Sequence, residues 1–226
     1  MTDDEWRVCD NPARMRWMVG ELRRSSVGHR WVLFDIACVR RVRDLLDTEC
    51  VSRVDEVEEW VNNTRLHRIN SRSSRLNGVR ETIRNLWTRR SVPQRDARIA
   101  AARAVIAVGS HTLTTSNMVC VAAGRRVGQP GLNQAVADEQ HVHAGLMRCV
   151  FRSTLHTVGF RPHWRTETAV ALARTMCDAR EFGAMPILAD ALQDAGCDDE
   201  HVLNHCRQPG DHVRGCFVAD LVLGRE

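Results

Sequence analysis

The chain of 226 residues contains no lysine and no tyrosine, so all 32 of its basic residues are arginine. Lysine and tyrosine codons are AT-rich, and a GC-rich genome accounts for the bias. The chemical consequence is firm whatever its origin. A Schiff-base lysine, a phosphate-loop lysine and a catalytic tyrosine are all excluded. Other motifs are missing too. There is no GxSxG, no GxGxxG and no CxxC. No apolar run approaches the ~18 residues that a membrane span requires. The opening MTDDEW is acidic where an export signal would be basic and then apolar. The nine cysteines are odd in number and lack the dense spacing of a disulfide scaffold, which points to free thiols in a reducing cytoplasm.

What is present describes a soluble globular chain. Apolar residues make up 43% and charged residues 27%, enough of each for a buried core and a solvated surface. The net charge of +4 conceals a strong asymmetry. Residues 65–126 carry 13 Arg against Glu81 and Asp96, whereas both flanks are net acidic.

The hydrophobic pattern is helical nearly throughout. Thr2 and Glu5 have the spacing of a capping box, and Asn11-Pro12 opens a second helix. Over 29–47, Trp31, Phe34, Cys38, Val42 and Leu45 recur at steps of three and four, one buried stripe. Ser52-x-x-Asp55 predicts a further helix start, followed by Val54, Val57 and Val61. From 65 to 90, apolar residues share one face, and Arg65, Arg68, Arg72 and Arg75 form a stripe beside it. Residues 94–108 are Ala-rich and helical, and 109–132 is a Gly-rich connection holding a short helix. Helix resumes over 133–157. Thr166, Asp198 or Asp199, and Asp211 are the expected caps of later helices, with Pro186 as a first residue and Gly196 and Gly224 as stops.

These features predict an all-α fold, an irregular multi-helix bundle of about nine to eleven helices. Two packed halves, 1–108 and 133–226, would meet at 109–132.

Several segments resemble a known group: MTDDEW, Asp10-Asn11-Pro12, Phe160-Arg161-Pro162, Trp164, PILADALQDAGCDD (186–199), His205-Cys206-Arg207, Pro209-Gly210, HVRGC (212–216) and DLVLG (220–224). They are similar to a paralogous group of small bacterial proteins numerous in planctomycete genomes. The likeness covers about half the chain. Members are Cys-rich around the segment FDIACVRR, where this chain keeps only Cys38. The resemblance implies no activity.

Candidate sites follow from composition and spacing. Cys197 to Cys216 packs three cysteines and three histidines into twenty residues. Two pairs four residues apart, His201/His205 and His212/Cys216, would each share a helical face. Zinc takes four N or S ligands, and Cys197, His205, His212 and Cys216 are the candidate set. The competing reading makes the cysteines core residues and the histidines helix-end hydrogen-bonding groups. Val202 stands where a zinc protease needs Glu, which removes that activity. Arg65, Arg68, Arg72 and Arg75 are candidate polyanion contacts, against pairing with the acidic flanks. Asp138, Glu139, His141 and His143 look metal-like but read as a solvated face. Cys149, Cys177 and Cys206 are open to thiol catalysis only if a histidine meets them in space. The function expected is a non-enzymatic binding or scaffolding module with a protein partner and no cofactor. A zinc-stabilised domain and a nucleic-acid binder are the alternatives, and no membrane partner is expected.

Overall fold

A computed structural model describes residues 2–20, 24–64, 77–88, 91–108, 114–151 and 159–225. Among these the chain is all-helical, with twelve α-helices, one beyond the expected range, and no strand. None of the described helices is long and apolar enough to cross a membrane. The chain divides into two compact units. One is Cys9–Ala144, and the other joins Met1–Val8 to Gly145–Glu226. The division therefore falls inside a long helix rather than in the Gly-rich stretch at 109–132.

The Cys9–Ala144 unit holds α2 (Pro12–Gly20), α3 (Arg24–Arg40), α4 (Thr48–Thr64), α5 (Asn77–Thr88), α6 (Arg95–Ala107), α7 (Thr114–Val127) and most of α8 (Leu132–Val150). Asn11 caps α2 by accepting the Ala13 and Arg14 N–H groups at 2.9 and 3.2 Å. The predicted stripe of α3 is buried as expected, from Trp31 to Leu45. The helix itself ends at Arg40, and a 3₁₀ turn over Arg43–Leu45 completes the stripe.

The start of α4 differs from the Ser52 expectation. It begins at Thr48, because Asp47 accepts the Cys50 N–H at 2.9 Å. Its second oxygen accepts the Thr82 hydroxyl of α5 at 2.6 Å, a tertiary contact that selects this cap over the local Ser52 pattern. The packing of α6 against α7 relies on small residues, with Ala97, Ala100, Ala101 and Ala104 all buried. In α7, a Cβ at Gly124 would stand 2.8 Å from the Val136 side chain, so only glycine permits this approach to α8.

The terminal unit contains α1 (Asp3–Val8), the end of α8, α9 (Glu167–Ala179), α10 (Met185–Asp194), α11 (Glu200–Arg207) and α12 (Phe217–Leu223). Its helix signals read as expected. Thr2 and Glu5 close a reciprocal capping box at 2.8 and 3.2 Å. The Thr166 hydroxyl accepts the Ala169 N–H. Asp199, not Asp198, caps α11 through His201 and Val202. Gly196 stops α10 at φ +83° and Gly224 stops α12 at φ +65°, conformations that cost glycine little. The core gathers Trp164, Met176, Met185, Leu188, Leu192, Phe217 and Val218 around α9, α10 and α12.

Asp211 does not cap the last helix. Residues 211–216 form a turn closed by the Cys216 N–H on the Val213 carbonyl at 2.9 Å, with Gly215 at φ +90°. That dihedral is incompatible with continued helix, so α12 starts only at Phe217. Arg214 fixes the turn by donating to the Cys177 and Asp178 carbonyls at 2.5 and 3.3 Å, in the last turn of α9. A guanidinium there also meets the negative end of the helix dipole.

Candidate metal centre

Four side chains of the terminal unit converge. Cys149, His205, His212 and Cys216 each turn one donor atom inward, and the four atoms lie within 4.8 Å of one another. They come from three separate stretches of chain. Cys149 is in the last turn of α8, and His205 is near the end of α11. His212 is in the 211–216 turn, and Cys216 is the residue before α12.

The sulfurs are buried and the imidazoles half-exposed. His205 Nε2 lies 3.3 Å from Cys216 Sγ, and His212 Nδ1 lies 3.9 Å from Cys149 Sγ. The two rings are perpendicular at 4.8 Å, and Phe217 lies against His205 at 4.4 Å between ring centroids.

These spacings suit a tetrahedral ion. Zn–S bonds near 2.3 Å and Zn–N bonds near 2.0 Å give ligand-to-ligand edges of roughly 3.3–3.8 Å. The two measured S···N contacts already fall close to that range, and the widest separation needs about 1 Å of contraction. Two thiolates and two imidazoles form a donor set that zinc favours over harder cations.

The electrostatics point the same way. Burial acts to raise the Cys216 thiol, but the hydrogen bond from Cys149 and the two imidazoles outweigh it and hold Cys216 well below the ordinary thiol value. Burial, and then the neighbouring Cys216 sulfur, push Cys149 far up. The two opposite directions favour the proton on Cys149 over Cys216. A metal ion would have to displace the Cys149 proton.

Of the residues picked out by spacing, His205, His212 and Cys216 come together and Cys197 does not. Cys197 follows Gly196, donates its N–H to the Leu192 carbonyl at 2.9 Å and packs into the core. Cys149 takes its place, from 67 positions before Cys216. Nothing in the local spacing marks it, since Leu146, Met147 and Val150 are equally buried. His201 turns away toward Asp3, at 3.6 Å. The pairing of His212 with Cys216 on one helical face also fails, because both precede α12; the turn brings them together instead. Arg65, Arg68, Arg72 and Arg75 lie outside the described residues.

The Asp138–His143 stretch is not a wholly solvated face. Asp138 and His141 are exposed, but His143 is fully buried and the Glu139 side chain is only 11% exposed. Glu139 Oε1 receives Arg41 Nε at 2.5 Å and lies 3.1 Å from His143 Nε2. His143 Nδ1 lies 2.8 Å from the Ser116 hydroxyl and 3.5 Å from Cys120 Sγ. A carboxylate facing Nε2 favours the proton on that nitrogen, so Nδ1 accepts from Ser116. Burial acts to raise the Glu139 carboxyl, yet His143 and Arg41 bring it down to about 2. The relay links the turn after α3 to α7 and α8.

Three further buried thiols are pushed upward. Burial pushes Cys120 and Cys177 up to about 12 and Cys206 higher still, which opposes thiolate chemistry at these positions. Comparison of the chain with protein-family models, with curated proteins and with solved structures returns no match.

Proposed function

We propose that the chain is a helical binding or scaffolding module whose terminal unit is locked by one zinc ion held by Cys149, His205, His212 and Cys216. The observation that carries this reading is the convergence of four zinc-type donors within 4.8 Å from three separate stretches of chain. Four protein ligands complete a tetrahedral shell and leave no open position for substrate, as in structural rather than catalytic zinc sites. The short elements involved give such an ion a purpose. The α11 and α12 helices have 8 and 7 residues, too few to be stable alone. An ion tying α8, α11 and the turn before α12 restrains all of them, and clips that close long loops remove the most freedom from the unfolded chain. A reducing cytoplasm keeps the cysteines available as ligands. The partner is a protein that meets a surface so fixed.

The test is metal analysis of the full chain purified from zinc-replete cells. About one zinc per chain is expected, with a marked fall in Tm on chelation, because metal affinity is then part of the folding free energy. Cys149→Ser should lose the metal and Cys197→Ser should keep it. Metal-free protein with no response to chelator overturns the proposal.

A further inference from the structure

The same four residues carry a second property, which rests on the zinc reading. We propose that Cys149 and Cys216 are also an oxidation site, at which a hydroperoxide joins the two sulfurs in a disulfide and so dismantles the zinc centre. The observation is one of placement. The two sulfurs lie within 4.8 Å of each other, from residues 67 positions apart. A disulfide needs an S–S separation of 2.03–2.05 Å, so the two sulfurs must approach each other by at most about 3 Å. Both sulfurs are needed by the ion, so one chemical event removes half of the ligand set. The half-exposed imidazoles of His205 and His212 border the two buried sulfurs, and theirs is the side from which a small oxidant would have to enter.

The chemistry balances with hydrogen peroxide as the two-electron oxidant. A metal-bound cysteine sulfur is already deprotonated. One sulfur attacks a peroxide oxygen, the O–O bond breaks, and hydroxide leaves behind a sulfenic acid. The second sulfur attacks that sulfenic sulfur, the S–S bond forms and a second hydroxide departs. Two thiolates and one peroxide thus give one disulfide and two hydroxides. The ion, left with two imidazoles, dissociates. A dithiol reductant returns both sulfurs to thiols and restores the site.

The sequence makes the test clean. Cleavage at arginine places Cys149 alone in the peptide 149–152 and Cys216 alone in 215–225. Zinc-loaded full-length protein is treated with hydrogen peroxide, zinc release is followed with a chromogenic chelator, and the products are mapped by mass spectrometry. The expected result is complete loss of the bound zinc together with loss of two of the nine alkylatable thiols. A cross-linked 149–152/215–225 peptide lighter by two hydrogens should appear, and dithiothreitol with zinc should reverse all of it. Protein that keeps its zinc, or releases it while the oxidised sulfurs map to other cysteines or to sulfinic acids, overturns the proposal and leaves the zinc reading standing. Protein that holds no zinc at the outset overturns both. Cys149→Ser supplies a second check, since it must yield no cross-link to Cys216.

Discussion

Glu139 and His143 face each other across one turn of α8, with the ring Nε2 3.1 Å from a carboxylate oxygen that also receives Arg41. His143 is fully buried and the Glu139 side chain nearly so, while Arg41 reaches the pair from a part-exposed position.

That pairing sets a pH dependence. The folded-state value of Glu139, about 2, lies below that of a free glutamate, so the folded state binds the proton less tightly than the unfolded state. The stabilisation is fully present above about pH 4.5 and is lost as the pH falls toward 2. It amounts to roughly 3 kcal/mol at neutral pH. Glu139→Gln should therefore destabilise the protein by about that much at pH 7 in urea unfolding, and the difference from wild type should shrink steadily on acidification. A difference that does not change with pH would show that the carboxylate charge is not what the relay uses.

Phe217 opens α12 with only 6% exposure and packs on the His205 ring. Phe217→Ala should cost about 3–5 kcal/mol by the usual measure of aromatic truncations in cores. At the proposed zinc site it should also weaken metal retention, because His205 loses the wall that orients it. A cost below about 1 kcal/mol would remove Phe217 from the core.

Asp199 holds the first turn of α11 through two backbone N–H groups. Asp199→Ala is expected to lower stability by about 1 kcal/mol, and Asp199→Asn by much less, since an amide oxygen caps nearly as well. Asp198 only reaches Arg161 across an exposed 3.6 Å gap. Asp198→Ala should stay within about 0.5 kcal/mol of wild type. Equal effects at the two positions would mean that the cap is not placed at Asp199.

Arg40 bridges Asp55 and Glu58 of α4 at 2.6 Å each, with the Glu58 side chain almost fully buried. Burial works against the charged guanidinium, but the two carboxylates outweigh it and raise its value. Arg40→Met removes the guanidinium that faces the buried Glu58 carboxylate and should cost about 3 kcal/mol. The double variant Arg40→Met/Glu58→Leu should recover much of the loss. Failure to recover in a double-mutant cycle would show that the pair is not a coupled unit.

Much of the fold is legible in the residues because its signals are local. The Thr2–Glu5 box, the Thr166 and Asp199 caps and the glycine stops at 196 and 224 each work within about four residues of their own position. Errors appear wherever a distant residue decides. Thr82 moved the start of α4 to Asp47. Arg214, gripping the end of α9, belongs to a turn where continuous helix had been expected. The candidate site divides the same way. Proximity in sequence suggested three of its four donors, while Cys149 looks like any other buried residue of α8 until the chain is folded. Glu139 and His143 read as solvated for the same reason. Their partners, Arg41 and Ser116, are far off in sequence, and a four-residue spacing on a helix does not say which way the face points.

The pairing of Asp3 with His201 has a consequence for the order of events during synthesis. The six-residue α1 is made well before its partner in α11, which follows almost two hundred residues later. So short a helix cannot hold its shape while it waits. Trp6, buried in the finished protein, must then remain wet until α11 has been made. Residues 3–8 are thus folded long after they are made, and contacts so distant along the chain form slowly. A bulky insertion beside α1 would burden the terminal unit, although almost all of that unit lies in residues 145–226.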